Sequence, residues 1–103
     1  MLKILLCGNK SFVATGLQQK LVEAGFLVDS FSRGNEERNG TQVTGDVFKV
    51  SSNIYLADDY DVVINFIVLK DLSMAANLHY INELIDLCRI KSVKNLIHIS
   101  SII

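Results

Sequence analysis

The residues best placed to do chemistry form one short run, Gly8-Asn9-Lys10-Ser11-Phe12-Val13-Ala14. The apolar Lys3-Ile4-Leu5-Leu6-Cys7 precedes it, and a helically spaced segment follows. A chain that passes there from strand to helix must reverse tightly, let a pyrophosphate approach its backbone and pack the new helix on the sheet. Small residues three apart serve those needs. Gly8, Ser11 and Ala14 keep the spacing, although Ser11 puts a side chain where a bare backbone suits a phosphate best. A strand-to-helix turn with no ligand would use the same residues, so the motif by itself leaves both readings open. A second pair, Ser32-Arg33, ends the next apolar run about 20 residues beyond the turn, where such sites read an adenosine ribose. A carboxylate there would accept from a 2′-hydroxyl. A serine can instead donate to a 2′-phosphate, and an arginine can grip it with paired charge-assisted bonds. The plainer reading of Ser32-Arg33-Gly34-Asn35 is a polar turn.

Other reactive side chains read as structural. His98 shares a strand face with Leu96 and Ser100 and is expected to be a packed or hydrogen-bonded histidine. His79 has no cysteine or second histidine at ligand spacing, and Glu83 alone makes no site, so no metal is expected. Asp58, Asp59 and Asp61 flank Tyr60 and read as a solvated loop. Lys10-Ser11 lacks the Gly-x-x-x-x-Gly-Lys-(Ser/Thr) frame of a phosphate-binding loop. Cys7 and Cys88 lie among apolar residues without metal or disulfide spacing and read as reduced structural thiols.

The elements that must position these residues follow from the apolar period. Lys3 to Cys7 reads as a strand buried on both faces. Phe12 to Ala24 has helical spacing, with Phe12, Val13, Leu17, Leu21 and Val22 expected on the core side, and Gly25 ends it. Phe26 to Phe31 is a second strand, followed by a polar loop from Ser32 through Asn39-Gly40. A weaker third strand around Gln42 to Thr44 leads into Gly45-Asp46-Val47, and Val50 to Ala57 has no assignment. Asp61 to Phe66 is a fourth strand, Met74 to Ile90 a long helix and Asn95 to Ile99 a fifth strand. Buried strands alternating with amphipathic helices predict an α/β fold, a parallel sheet in the order 3-2-1-4-5 with helices on both faces.

The chain has 103 residues, half of them hydrophobic, a fifth charged, no proline and a net charge of -1. That length buries about two thirds of its extended surface and supports one core. The charge balance points away from nucleic acid and from membrane surfaces. No apolar stretch is long enough to span a bilayer, Met1-Leu2-Lys3 opens no signal-peptide pattern, and a cytoplasmic protein is expected.

In that order, the segments resemble the extended short-chain dehydrogenase/reductases of the sugar-nucleotide epimerase and dehydratase kind. Their Gly-x-x-Gly-(aromatic)-(aliphatic)-Gly fingerprint is matched by Gly8, Phe12 and Val13, with Ser11 and Ala14 replacing two glycines. Asp61-Val62-Val63-Ile64-Asn65-Phe66 resembles the family's fourth strand, with Leu69-Lys70 following as in the 4-epimerases. Gly45-Asp46-Val47 resembles the Gly-Asp-aliphatic that meets the adenine, and Asn77 an asparagine with a structural and cofactor-side place. Ser92 to Ser101 looks like the family's fifth strand with its Ser-Ser ending. The resemblance covers essentially the whole chain and about a third of a family member, which implies a partial dinucleotide-binding (Rossmann) domain over 1–103, truncated after the fifth strand. By this resemblance Gly8, Ser11, Phe12, Val13, Ala14, Ser32, Arg33, Asp46, Val47, Phe66, Lys70 and Asn77 would hold NADP in preference to NAD. Ser101 would be the serine that holds the substrate oxygen.

Two departures matter. Ile67-Val68 stands where the family keeps small residues beside the cofactor. Tyr55, Tyr60 and Tyr80 are followed four places on by Asp59, Ile64 and Leu84, so no Tyr-x-x-x-Lys is present to move the proton. Two functions remain open. One is the cofactor-binding portion of an NAD(P)-dependent epimerase, dehydratase or reductase acting on a nucleotide sugar, catalytically incomplete as given. The other is a non-catalytic Rossmann module with a degenerate pocket. With no strand expected beyond the fifth, an apolar edge predicts self-association or marginal stability.

Overall fold

The computed structural model describes residues 2–8 and 12–99, the side chain of Phe12 excepted. The elements run β1 (Lys3–Cys7), α1 (Phe12–Glu23), β2 (Leu27–Arg33), β3 (Glu37–Asn39), β4 (Gln42–Gly45), a 3-10 helix (Val47–Ser52), β5 (Val62–Asn65), α2 (Met74–Ile90) and β6 (Asn95–His98). Among the described residues the strands form one sheet in the order β3-β4-β2-β1-β5-β6. Every pairing is parallel except β3 with β4. The five strands expected from the sequence keep their 3-2-1-4-5 order. The difference is the added edge strand.

That edge corrects the polar loop expected from Ser32 to Gly40. β2 continues through Ser32 and Arg33, which pair with Thr44 and Gly45. The chain then forms a β3–β4 hairpin in which Asn39 pairs with Gln42. Gly40 takes φ 62 at the first turn position, the place where type II′ hairpin turns require glycine. Arg38 supplies the tertiary hold. It reaches the Asp29 carboxylate on β2 with two nitrogens, at 2.9 and 3.3 Å, and also bonds the carbonyls of Gly40 and Tyr55. The Tyr60 hydroxyl donates to the same carboxylate at 2.6 Å. Burial works to raise the Asp29 pKa, but the bonds from Arg38 and Tyr60 outweigh it and hold the group below the usual carboxylate value.

Each face of the sheet has its own core. On one, Ala14 of α1 packs with Ile4, Leu6, Val28 and Ile64, flanked by Leu17 and Leu21. On the other, Tyr80, Leu84 and Leu87 of α2 pack with Leu5, Phe31, Val43 and Val63. The α1 stripe differs from the expected one, since Val13 and Val22 are 64% and 55% exposed. Positions 14, 17 and 21 share one side of a 3.6-residue period, and 13 and 22 fall on opposite flanks, about 70° and about 110° from its centre. α1 ends in a Schellman motif. Gly25, at φ 92, donates to the Val22 carbonyl and Phe26 to that of Leu21. α2 ends the same way, but Ser92 holds the left-handed position at φ 56.

Candidate functional site

The carboxyl ends of β1, β2 and β5 meet at the point where the sheet order reverses, since β1 lies between β2 and β5. Open parallel sheets bind ligands at such points. A cleft of about 230 Å3 lies there, lined among the described residues by Gly8, Ser32, Arg33 and Phe66 to Leu69. Gly8 takes φ 90, and its N–H donates to the Phe31 carbonyl at 2.8 Å, which turns the chain sharply out of β1. Ser32 is 5% exposed, and its hydroxyl has no hydrogen-bond partner among the described residues. Arg33, at the tip of β2, is exposed and has no ion-pair partner among them.

The cleft wall after β5 is held by asparagines. Asn65 is fully buried, and it bonds both backbone groups of Ile67, at 3.1 and 3.2 Å. Its Oδ1 also accepts from the Tyr80 hydroxyl at 2.6 Å, and its Nδ2 donates to His98 Nδ1 at 2.9 Å. That bond makes His98 the hydrogen-bonded histidine expected from the sequence. Asn77 bonds both backbone groups of Leu69 at 2.9 Å and the Ser73 carbonyl at 3.0 Å, tying the wall to the start of α2. Burial pushes the neighbouring Cys7 thiol up to about 12, which closes nucleophilic chemistry at that position.

Of the residues singled out in the sequence, the structure gathers Gly8, Ser32, Arg33 and Phe66 around one cleft. Ala14 is fully buried under α1, Val13 points outward, and Lys70 is exposed in the turn before α2. Asp46 caps the 3-10 helix by accepting from the Phe48 N–H at 2.9 Å, and Val47 is in the core. Ser11 and Ser101 lie outside the described residues, as does the side chain of Phe12. Asp58 and Asp59 are exposed and pair with Lys91 and Lys3, and Asp61 accepts from the Lys3 N–H. Both cysteines are free and buried. Among the described residues no three histidine, cysteine or acidic side chains gather into a metal-binding group, and no helix is long and apolar enough to cross a membrane. The roles of Asn65, Tyr80 and Arg38 went unread in the sequence. An asparagine inside an otherwise apolar strand was the signal for the first, because a buried amide must find partners.

No protein-family model and no curated protein sequence matches this chain. Solved structures do. A Burkholderia pseudomallei protein described only as exported is 26% identical over 95% of this chain and 47% of its own, with a TM-score of 0.72. UDP-glucose 4-epimerase from Bifidobacterium longum, solved with NAD+ and UDP, is 21% identical with a TM-score of 0.75, over 97% of this chain and 37% of its own. UDP-N-acetylglucosamine 4-epimerase from Bacillus cereus is 17% identical with a TM-score of 0.75, over 95% and 38%. The fold is the one shared by UDP-sugar epimerases and short-chain dehydrogenase/reductase proteins. This chain spans less than half the length of each of the three proteins described. Within the epimerase fold, Gly8 stands at the first strand-to-helix turn and Ser32-Arg33 at the tip of the second strand.

Proposed function

We propose that this chain is the dinucleotide-binding portion of an NAD(P)-dependent short-chain dehydrogenase/reductase of the epimerase, dehydratase or reductase kind, whose substrate is a nucleotide sugar. The observation that carries the reading is the convergence of Gly8, Ser32, Arg33 and Phe66 on one cleft at the reversal point of the sheet. Gly8 supplies the sharp turn out of β1 that opens the cleft. Ser32 offers a buried hydroxyl and Arg33 a guanidinium without an ion-pair partner among the described residues, the pair that suits a ribose 2′-phosphate, so NADP is preferred over NAD. Asp46 and Val47 at the end of β4 belong to the adenine side of the same reading, and Lys70 and Asn77 to the far wall. Ser101 would hold the substrate oxygen.

In this reading residues 1–103 form one partial domain and work in the cytoplasm. Without a tyrosine and lysine four places apart, the chain by itself turns over no nucleotide sugar. β6 pairs only with β5 among the described residues, and Ile97 in it and Ile99 just after it are exposed, so self-association or marginal stability is expected, to be checked by light scattering and thermal melting. The test of the binding assignment is amide shift mapping with NADPH. Perturbations centred on Gly8, Ser32, Arg33 and Ile67 are expected, and perturbations absent there, or centred on the opposite edge near Asp61 and Asn95, would refute it. The second reading, a non-catalytic module with a reduced pocket, is favoured by the bulk of Ile67 and Val68 in the cleft wall.

A further inference from the structure

Pockets for drug-sized ligands run from roughly 300 to 1,000 Å3, and a whole dinucleotide belongs well inside that range. The cleft here measures about 230 Å3. Its two ends differ. At one, Ser32 and Arg33 present a hydroxyl and a guanidinium without partners among the described residues. At the other, Ile67 sits against Gly8 so closely that a Cβ added to the glycine would stand 2.9 Å from the Ile67 Cγ1 and 3.2 Å from its nitrogen. The side of Gly8 where a side chain would stand is therefore already occupied by Ile67, which narrows the approach of a pyrophosphate to this turn.

Nor is that side chain on a loose loop. Asn65 bonds the N–H and the carbonyl of Ile67, and Asn65 is itself fixed by Tyr80 and His98. Asn77 fixes Leu69 in the same two-handed way. Moving Ile67 off Gly8 requires either a changed rotamer or the loss of the asparagine bonds. A contact held at both backbone groups of Ile67 and of Leu69 acts as a wall.

We propose that Ile67 is a specificity-determining residue that ends the site at the pyrophosphate. The cleft then takes a ribose-phosphorylated adenine mononucleotide as firmly as the whole dinucleotide containing it. This rests on the reading of the cleft as an NADP-type site. The test is calorimetric titration of the full chain, unmodified and as Ile67→Val and Ile67→Ala, with NADPH and with adenosine 2′,5′-bisphosphate. Thermal melting checks that each variant is folded. On the unmodified chain the two dissociation constants should agree within about threefold. NADPH affinity should then rise stepwise from isoleucine to valine to alanine, by about tenfold in all, with bisphosphate affinity nearly unchanged. If alanine does not fold, the valine variant and the unmodified ratio carry the test. A larger preference of the unmodified chain for NADPH, or variants that move both ligands equally or neither, would overturn the inference and leave the NADP-type site standing. Failure of both ligands to bind any of the three proteins would overturn that site and the inference together.

Discussion

The two ends of the sheet carry polar networks of opposite character. At the amino end, Asp29, Arg38 and Tyr60 close on one another, and two further donors of Arg38 go to the Tyr55 and Gly40 carbonyls. At the carboxyl end, Asn65, Tyr80 and His98 form a cluster that holds the Ile67 wall, while Ser32 and Arg33 stand nearby without partners among the described residues. A network that satisfies itself adds stability and leaves nothing for a ligand. A network that fixes a wall beside groups without protein partners leaves those groups for a ligand, and the fixed wall needs little reorganisation on binding. The comparison separates residues whose loss should unfold the protein from residues whose loss should empty the cleft.

The largest effect should come from the closed end. Arg38→Ala leaves the Asp29 carboxylate buried without its cation and should cost about 3 to 4 kcal/mol of stability in urea denaturation. Since the folded Asp29 pKa lies below its unfolded value, the ionised pair contributes fully above that unfolded value, about 3.9, and is lost as pH falls through the folded one. The variant should therefore lose much of the wild-type fall in stability below about pH 4. An unchanged acid limb would show that the pair is not the stabilising element.

Next, Asn65→Ala removes the partner of Tyr80, His98 and Ile67 at once and should cost about 2 to 3 kcal/mol. It should also loosen the Phe66 to Leu69 wall, read as faster amide exchange at Ile67 and Leu69. Stability loss without that local change would mean that Asn65 acts only as packing.

At the open end the effect falls on binding. Arg33→Ala should weaken NADPH by roughly 1.5 to 3 kcal/mol, the contribution of a hydrogen bond to a charged group, and leave NADH and the melting temperature nearly unchanged. Equal losses for both cofactors would deny Arg33 its 2′-phosphate role.

These contrasts also show how much was legible in the residues. The strand order, both helices and the Gly8 turn followed from apolar period and glycine placement, because those signals are local and strong. The β3–β4 hairpin is signalled only by Gly40 at its turn, since Glu37, Arg38 and Asn39 are all exposed and lack the alternation of a half-buried strand. The Asp29–Arg38–Tyr60 network was not legible at all. Its members lie 9 and 31 residues apart and meet only once β4 has inserted between β2 and β3. Of the candidate site, Gly8, Ser32, Arg33 and Phe66 were legible from spacing and resemblance, whereas the clamp of Asn65 on Ile67 depended on a fold not yet built.

The smallest predicted effect lies away from both networks. Ser92 holds a left-handed backbone at the end of α2, and Ser92→Gly should relieve it and add about 1 kcal/mol of stability with no change in ligand binding. A destabilised variant would mean that the serine side chain contributes more than its backbone strain costs.

The central claim is that the open end of the sheet is built for a ribose-phosphorylated adenine nucleotide, and direct titration of the unmodified chain with NADPH and NADH tests it. The account predicts saturable one-to-one binding of NADPH, about tenfold or more tighter than NADH, with the preference shrinking as salt is raised. Equal affinities, tighter NADH, or no binding of either cofactor would contradict it.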